Sequence, residues 1–437
     1  MMRFILPVIM VLVALPVRAD IKINEVVSPG GITAWLVEDH SIPFTALEIR
    51  FRGGASVEPM EKRGATNLMT ALLEEGAGDL DARAFARMRE ELAASFRYSV
   101  SDDAVSVSAQ FLTENRDEAI DLLRQSLIDP RFDDDAIERV RAQVLSGLRS
   151  DERNPRSLAS RRFNALVYGD HPYGTSLDGT IETVSALTRD DLLAAHVGSL
   201  ARDRIYVSAV GDITAADLAA LLDRLLGDLP ATGAEFVGPA TLNFPGGIEV
   251  VDFATPQSVV QFGQPGIGQE HPDFFAAFIL DHILGGGGFE SRLMTEVREK
   301  RGLTYGIYTF LAERDHAEIW AGSVASANER VAEAIDVIRA EWADMRDNAV
   351  TQEDLDNAKV YLTGAYPLRF DGNGTIANII VGMQMRGLPI DYAATRNDRV
   401  NAVTLEDITR VAATLLDPDA LSFVVVGQPE GLEDTSN

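Results

Sequence analysis

Apolar residues fall into two rhythms along this chain, and the succession of those rhythms is repeated. Short runs rich in β-branched and aromatic residues, Thr45–Arg52, Ala104–Phe111 and Ile205–Val210, are predicted strands. Between them, Asp117–Ile128 and Asp134–Arg149 carry apolar residues at three- and four-residue intervals and are predicted helices. The segment Ser185–Asp212 lies over Asn401–Gln428 without a gap, at an offset of 216 and with seven identities in 28 positions. Each copy runs from a threonine through acidic residues into a helical pattern, then into a strand (Ile205–Val210, Leu421–Val426) that ends in Val-Gly. Thr188 and Thr404 are the expected N-caps, because a hydroxyl accepts from a free first-turn N–H and the acids that follow complement the positive helix end. Gly30-Gly31-Ile32 and Gly246-Gly247-Ile248 recur at the same offset. The matched order of elements, more than the identities, indicates an internal duplication.

Strand pairs separated by helices, without a regular βαβ rhythm, predict an α+β protein. The expectation is two homologous α/β sandwich domains, each a mixed, largely antiparallel sheet covered by helices. Residues 1–19 read as a signal peptide, 20–228 as the first domain, 229–247 as a Pro- and Gly-rich linker, 248–430 as the second domain and 431–437 as a tail. One helix stands out in this pattern. The stretch RGATNLMTALLEEG, from Arg63 to Gly76, sets Asn67, Thr70 and Ala71 on one face, yet that face offers no catalytic group.

The opening MMRFILPVIMVLVALPVRAD has one arginine ahead of an apolar run and a small residue before a cut, the pattern of a secretory signal. Its apolar run is short for a membrane span. Export to a bacterial periplasm, with no membrane attachment after cleavage, is the expectation. The chain has no cysteine, which excludes thiol catalysis and leaves stability to burial. A net charge of −28 argues against nucleic acid as a partner.

There is no P-loop, nucleophile elbow or dinucleotide fingerprint. None of the six histidines lies three to five residues from another, the separation that lets two imidazoles on a helix share one zinc ion. The chemistry-bearing candidate is Leu284–Tyr308, LGGGGFESRLMTEVREKRGLTYGIY. Gly285, Gly286, Gly287 and Gly288 predict a mobile loop that can approach another backbone closely. Ser291 then opens a helix that Gly302 closes, and a strand is expected from Thr304. Arg298 near the helix end and Tyr305 beyond it could hold a peptide carbonyl and stabilise an oxyanion, the arginine binding and the tyrosine donating. A solvated helix arginine and a half-buried strand aromatic are the alternative reading of the same two residues.

With both halves in view the chain resembles the pitrilysin/insulinase-like (M16) metallopeptidases, and among them the bacterial half-size chains that work as two-subunit enzymes. Phe51-Arg52-Gly53-Gly54 with the run to Ala77, Asn154-Pro155, His171-Pro172-Tyr173-Gly174, Thr188-x-x-Asp191-Leu192 and Val210-Gly211-Asp212 follow in the family's order. Ser291-Arg292-Leu293 through Arg298 to Gly302-Leu303-x-Tyr305 resembles the family's Arg/Tyr substrate pair, and Thr351-x-Glu353-Asp354-Leu355 continues the likeness. The departure is at the metal helix. Active members carry His-x-x-Glu-His there; this chain has Asn67, Thr70 and Ala71, and the third ligand position falls near Ser146-Gly147. The resemblance therefore implies no metal in this chain. It implies a partner paralogue bearing His-x-x-Glu-His that supplies zinc and general base, with Arg298, Tyr305 and the glycine run contributed to peptide substrates. A non-enzymatic scaffold or peptide-binding protein of the same fold is the alternative.

Overall fold

A computed structural model describes residues 21–348 and 350–435; the expected signal segment lies outside them. The first half runs β1 (Asn24–Val27), β2 (Thr33–Glu38), β3 (Phe44–Arg52), α1 (Ala65–Leu72), the two-residue strands β4 (Gly76–Ala77) and β5 (Leu80–Asp81), α2 (Ala82–Glu91), β6 (Ser95–Val100) and β7 (Ala104–Leu112). It continues with α3 (Arg116–Ile128), α4 (Asp134–Asp151), α5 (Pro155–Tyr168), α6 (Ile181–Ala186), α7 (Arg189–Ser199), β8 (Ile205–Gly211) and α8 (Ala215–Leu226). Residues 229–246 carry neither helix nor strand. The second half runs β9 (Gly247–Asp252), β10 (Gln257–Pro265), α9 (Phe274–Asp281), β11 (Ile307–Arg314) and β12 (Ala317–Ala327). It ends with α10 (Val331–Asn348), α11 (Gln352–Ala365), α12 (Asn373–Met385), α13 (Tyr392–Ala402), α14 (Leu405–Leu415) and β13 (Ser422–Gly427).

The first sheet has the order β1-β2-β8-β3-β7-β6 and the second β9-β13-β10-β12-β11. Apart from the extra outer strand β1, the second order repeats the first. Each sheet has one parallel pair, β2 with β8 and β9 with β13, and is otherwise antiparallel. This is the duplicated, mixed, helix-covered sheet that the sequence predicts. Thr188 and Thr404 both close capping boxes, with Asp191 and Asp407 as the returning acids.

Most inner strands are buried on both faces, which is why they read as unbroken apolar runs. On β2 and β3, Leu36, Leu47, Ile49 and Phe51 pack into one core with the first half's own helices. The alternate residues Trp35 and Ala46, with Val210 of β8, pack against Ala377, Ile380 and Met383 of α12, a helix of the second half. The reverse occurs on the second sheet. Val260, Phe262, Phe423 and Val425 face their own helices, while Val259, Val424 and Val426 meet Phe163 and Val167 of α5. Each half therefore lends one helix, at the same place in the repeat, to the other half's sheet.

One buried hydrogen bond ties this exchange: Ser208 Oγ of β8 donates to the Ala377 carbonyl of α12 at 2.7 Å. Ser208→Ala is expected to lower unfolding stability by about 1 kcal/mol, the typical net worth of such a bond. A shift of the urea midpoint at constant slope checks it, and an unchanged midpoint would show that the bond adds nothing to the exchange.

Candidate functional site

The helix α1 begins without a side-chain cap of its own, at Gly64 with φ of 98°. The cap comes instead from Glu58, whose Oε1 accepts from Gly64 N at 2.8 Å and Oε2 from Thr66 N at 2.7 Å. A carboxylate there satisfies two free N–H groups and complements the helix dipole. Glu58 is itself buried, and that burial pushes its carboxyl above the ordinary range. Arg63, only 2% exposed, pairs with Glu58 at 3.3 Å and with Asp102 at 2.8 Å, and donates to the carbonyls of Ala55 and Pro172 and to Thr175 Oγ1. The apolar side of the helix, Leu68, Met69, Leu72 and Leu73, lies in the core as expected.

The face that carries Asn67, Thr70 and Ala71 is differently built. Asn67 Nδ2 donates to Asp178 Oδ1 at 2.9 Å. The Thr70 hydroxyl is buried and has no hydrogen-bond partner among the described residues. Ala71 is exposed. The helix α4 packs against α1, and a side chain at its Gly147 would meet open space. Burial, reinforced by the charge of Asp151, raises the Asp178 carboxyl above its ordinary range. These residues do not fit a zinc ion. Among the described residues no group of three or more histidines or acids is placed to hold one. Glu74 is exposed and paired with Arg89 at 2.7 Å.

The Arg298 region departs from two expectations. The glycine run is no loop: α9 continues into a π-helical turn, His282–Gly286, and a second π turn spans Met294–Glu299. Such turns are uncommon and recur at functional sites. The run is held by close packing. A Cβ on Gly285 would lie 2.4 Å from Thr309 Oγ1, and one on Gly286 2.6 Å from Asp281 Oδ2. Only glycine admits that approach. The strand, in turn, begins at Ile307, not Thr304. Thr304 Oγ1 accepts from Gly306 N at 3.0 Å and lies 2.7 Å from the Ala325 carbonyl, so a local side-chain turn replaces ladder pairing. Tyr305 sits in that turn and is 88% exposed, not half-buried in a strand.

Arg298 lies on the second π turn with its guanidinium carbon 4.8 Å from the centre of the Phe289 ring. It makes no ion pair or side-chain hydrogen bond among the described residues, and none joins it to Tyr305. Phe289, at the end of the glycine run, is 67% exposed. The sequence reading missed it; an aromatic residue directly after four glycines was the available signal. Gly287 and Gly288 lie beside it in the same turn.

Asp281 ends α9 in the core, accepting at Oδ1 from Thr309 Oγ1 and Trp320 Nε1, both at 2.7 Å. Burial pushes its carboxyl up to about 6. A raised folded-state value means that protonation favours folding. The stability it adds is complete below the unfolded value of about 4 and is lost as pH rises through 6. The melting temperature should fall across that window in the native chain. In Asp281→Asn, whose amide oxygen can accept the same two bonds, that part of the slope should vanish; a persistent slope would place its origin elsewhere.

Residues 34–181 match the model of the insulinase family of peptidases, M16, and residues 186–362 match the model described as the peptidase M16 inactive domain. The chain belongs to the M16 peptidase family. A "non-peptidase homolog YmxG" of Helicobacter pylori is 26% identical over 94% of this chain and 95% of its own. A probable mitochondrial-processing peptidase subunit beta of Schizosaccharomyces pombe is 23% identical over 93% and 91%. The crystal structure of a peptidase M16 inactive domain from Pseudomonas fluorescens superposes with a TM-score of 0.87 at 28% identity, covering 94% of this chain and 99% of that one. A protease from Helicobacter pylori superposes at 0.83 with 17% identity over 93% and 99%, a likeness of fold. In this M16 chain α1 serves the packing of the core, and its opposite face is built around the Asn67–Asp178 hydrogen bond.

Proposed function

We propose that this M16 chain is the metal-free member of a two-chain zinc endopeptidase. A partner of the same family with an intact His-x-x-Glu-His helix supplies zinc and general base, and this chain presents Arg298 and Tyr305 to the peptide. The observation that carries the reading is Arg298: a cation in a chain with 67 acidic residues, seated on an exposed phenylalanine and without a carboxylate partner among the described residues. A guanidinium so placed can take a peptide carbonyl, and an exposed phenol seven residues on can donate to a developing oxyanion. The glycine turn Gly285–Gly288, which keeps bulk away from Phe289, lines the path of the peptide. We place the complex in the periplasm, on the strength of the signal pattern in residues 1–19.

The test is reconstitution. The chain alone should not hydrolyse peptides, and the chain with its metal-bearing sibling should do so in a chelator-sensitive way. Chelator-resistant hydrolysis by the isolated chain would overturn the reading. A second reading is a non-enzymatic peptide-binding protein, favoured by likeness to the Helicobacter homologue named a non-peptidase. Strand β11 is the outer strand of its sheet and exposes Tyr308 and Phe310, stacked 6.1 Å apart. Such an edge can add a peptide as a further strand. A stable homodimer that binds peptides and ignores substitution at Arg298 would favour this second reading.

A further inference from the structure

A cavity of about 270 Å³ opens among α9, α12, α13 and the turn after α11, and neither Arg298, Tyr305 nor any residue of α1 lines it. Its walls are aromatic, with Phe274, Phe278, Tyr366 and Tyr392, and its charged lining is Arg369, Arg386 and Arg396 without a single carboxylate. Arg369 and Arg386 are exposed at its mouth. None of the three makes an ion pair among the described residues, although the chain carries 67 acidic residues against 39 basic ones.

Arg396 is the decisive group. It is 6% exposed and lies 4.4 Å from the Tyr366 ring centre and 5.3 Å from that of Phe278. Its Nη1 donates to the Leu362 carbonyl at 3.0 Å and to Asn397 Oδ1 at 3.1 Å. Its Nε and Nη2 have no hydrogen-bond partner among the described residues. Burying a guanidinium on neutral partners alone leaves its charge uncompensated, which is costly. Burial pushes it below the usual guanidinium range, and the charge of Arg369 adds to this. The fork geometry of the free edge matches a carboxylate. The rings around it match an apolar body, and the volume matches one amino-acid-sized group rather than a larger ligand.

We propose that this cavity binds an organic carboxylate on an aromatic or bulky apolar body, with Arg396 holding the carboxylate and Arg369 and Arg386 drawing it in. A free small acid and the C-terminal residue of a peptide share this chemistry. The proposal does not rest on the Arg298 and Tyr305 reading.

The test is calorimetric titration of the full chain with 3-phenylpropionate, 3-phenylpropionamide, inorganic phosphate, and a hexapeptide ending in phenylalanine with a free or an amidated terminus. Saturable binding of the acid but not its amide is expected. Because Arg396 is buried, the exposed pair Arg369→Gln with Arg386→Gln is the safer variant. It should weaken binding about tenfold with the melting temperature unchanged. Binding of the free-ended peptide but not the amidated one assigns the site to peptide termini; binding of 3-phenylpropionate alone assigns it to small acids. The proposal fails if neither acid saturates, if acid and amide bind alike, if phosphate binds as well as phenylpropionate, or if the double variant binds like the native chain.

Discussion

If the proposed two-chain enzyme is reconstituted, Arg298→Ala should lower its kcat/KM for peptide hydrolysis on the order of a hundredfold, the usual loss when one donor to a developing oxyanion is removed. The two residues should divide that loss differently. Arg298 can reach a peptide carbonyl in the ground state as well as in the transition state, so its removal should raise KM and lower kcat together. The Tyr305 hydroxyl contributes only when negative charge develops on oxygen, so Tyr305→Phe should act mainly on kcat. Folding is not at stake for either variant, since Tyr305 is 88% exposed and Arg298 rests on the exposed Phe289 ring. Phe289→Ala is the internal control. Loss of one exposed cation–π contact is worth about 0.5–1 kcal/mol, or a few-fold in rate. A double variant at Arg298 and Tyr305 that retained the native rate would remove the pair from the mechanism altogether.

The largest stability effect should come from Arg63→Met, which removes the charge under the start of α1. The guanidinium pairs with Glu58 and Asp102, and Asp102 in turn meets Arg314 of β11 at 3.2 Å, so the clamp reaches from one half to the other. Its removal leaves two acids without their buried partner, and breaking such a pair costs about 3–5 kcal/mol. The cost should depend on pH in a defined direction. Glu58 already has a raised folded-state value through burial, so its contribution is complete at low pH and declines as pH rises through that value. Without Arg63 the carboxylate form is penalised further. The loss in urea-unfolding free energy should therefore be larger at pH 8 than at pH 4. Equal losses at both would show that Glu58 is already neutral, and that the clamp works through its hydrogen bonds alone.

Much of the fold was legible along the chain because it depends on neighbours in sequence. The strands around Thr45–Arg52, Ala104–Phe111 and Ile205–Val210 form within a residue of their predicted bounds. The capping boxes at Thr188 and Thr404 form from residues three apart. The start of β11 was misplaced because Thr304 satisfies the backbone with its own hydroxyl and draws on Ala325, 21 residues away. The glycine run misled for a related reason. Glycine permits mobility, but here it permits Thr309 and Asp281 to approach, and close packing holds the turn.

By itself the sequence determined the duplication, the mixed sheets and the family, all of which are properties of residue type and order. Only the tertiary structure decided that α5 and α12 change places between the halves, because an apolar helix face does not specify which of two similar sheets will cover it. The same holds for Phe289 beneath Arg298 and for the three arginines around Tyr366 and Tyr392. Charge in a sequence is only a sum, and it is folding that determines which cations are left without a counter-ion.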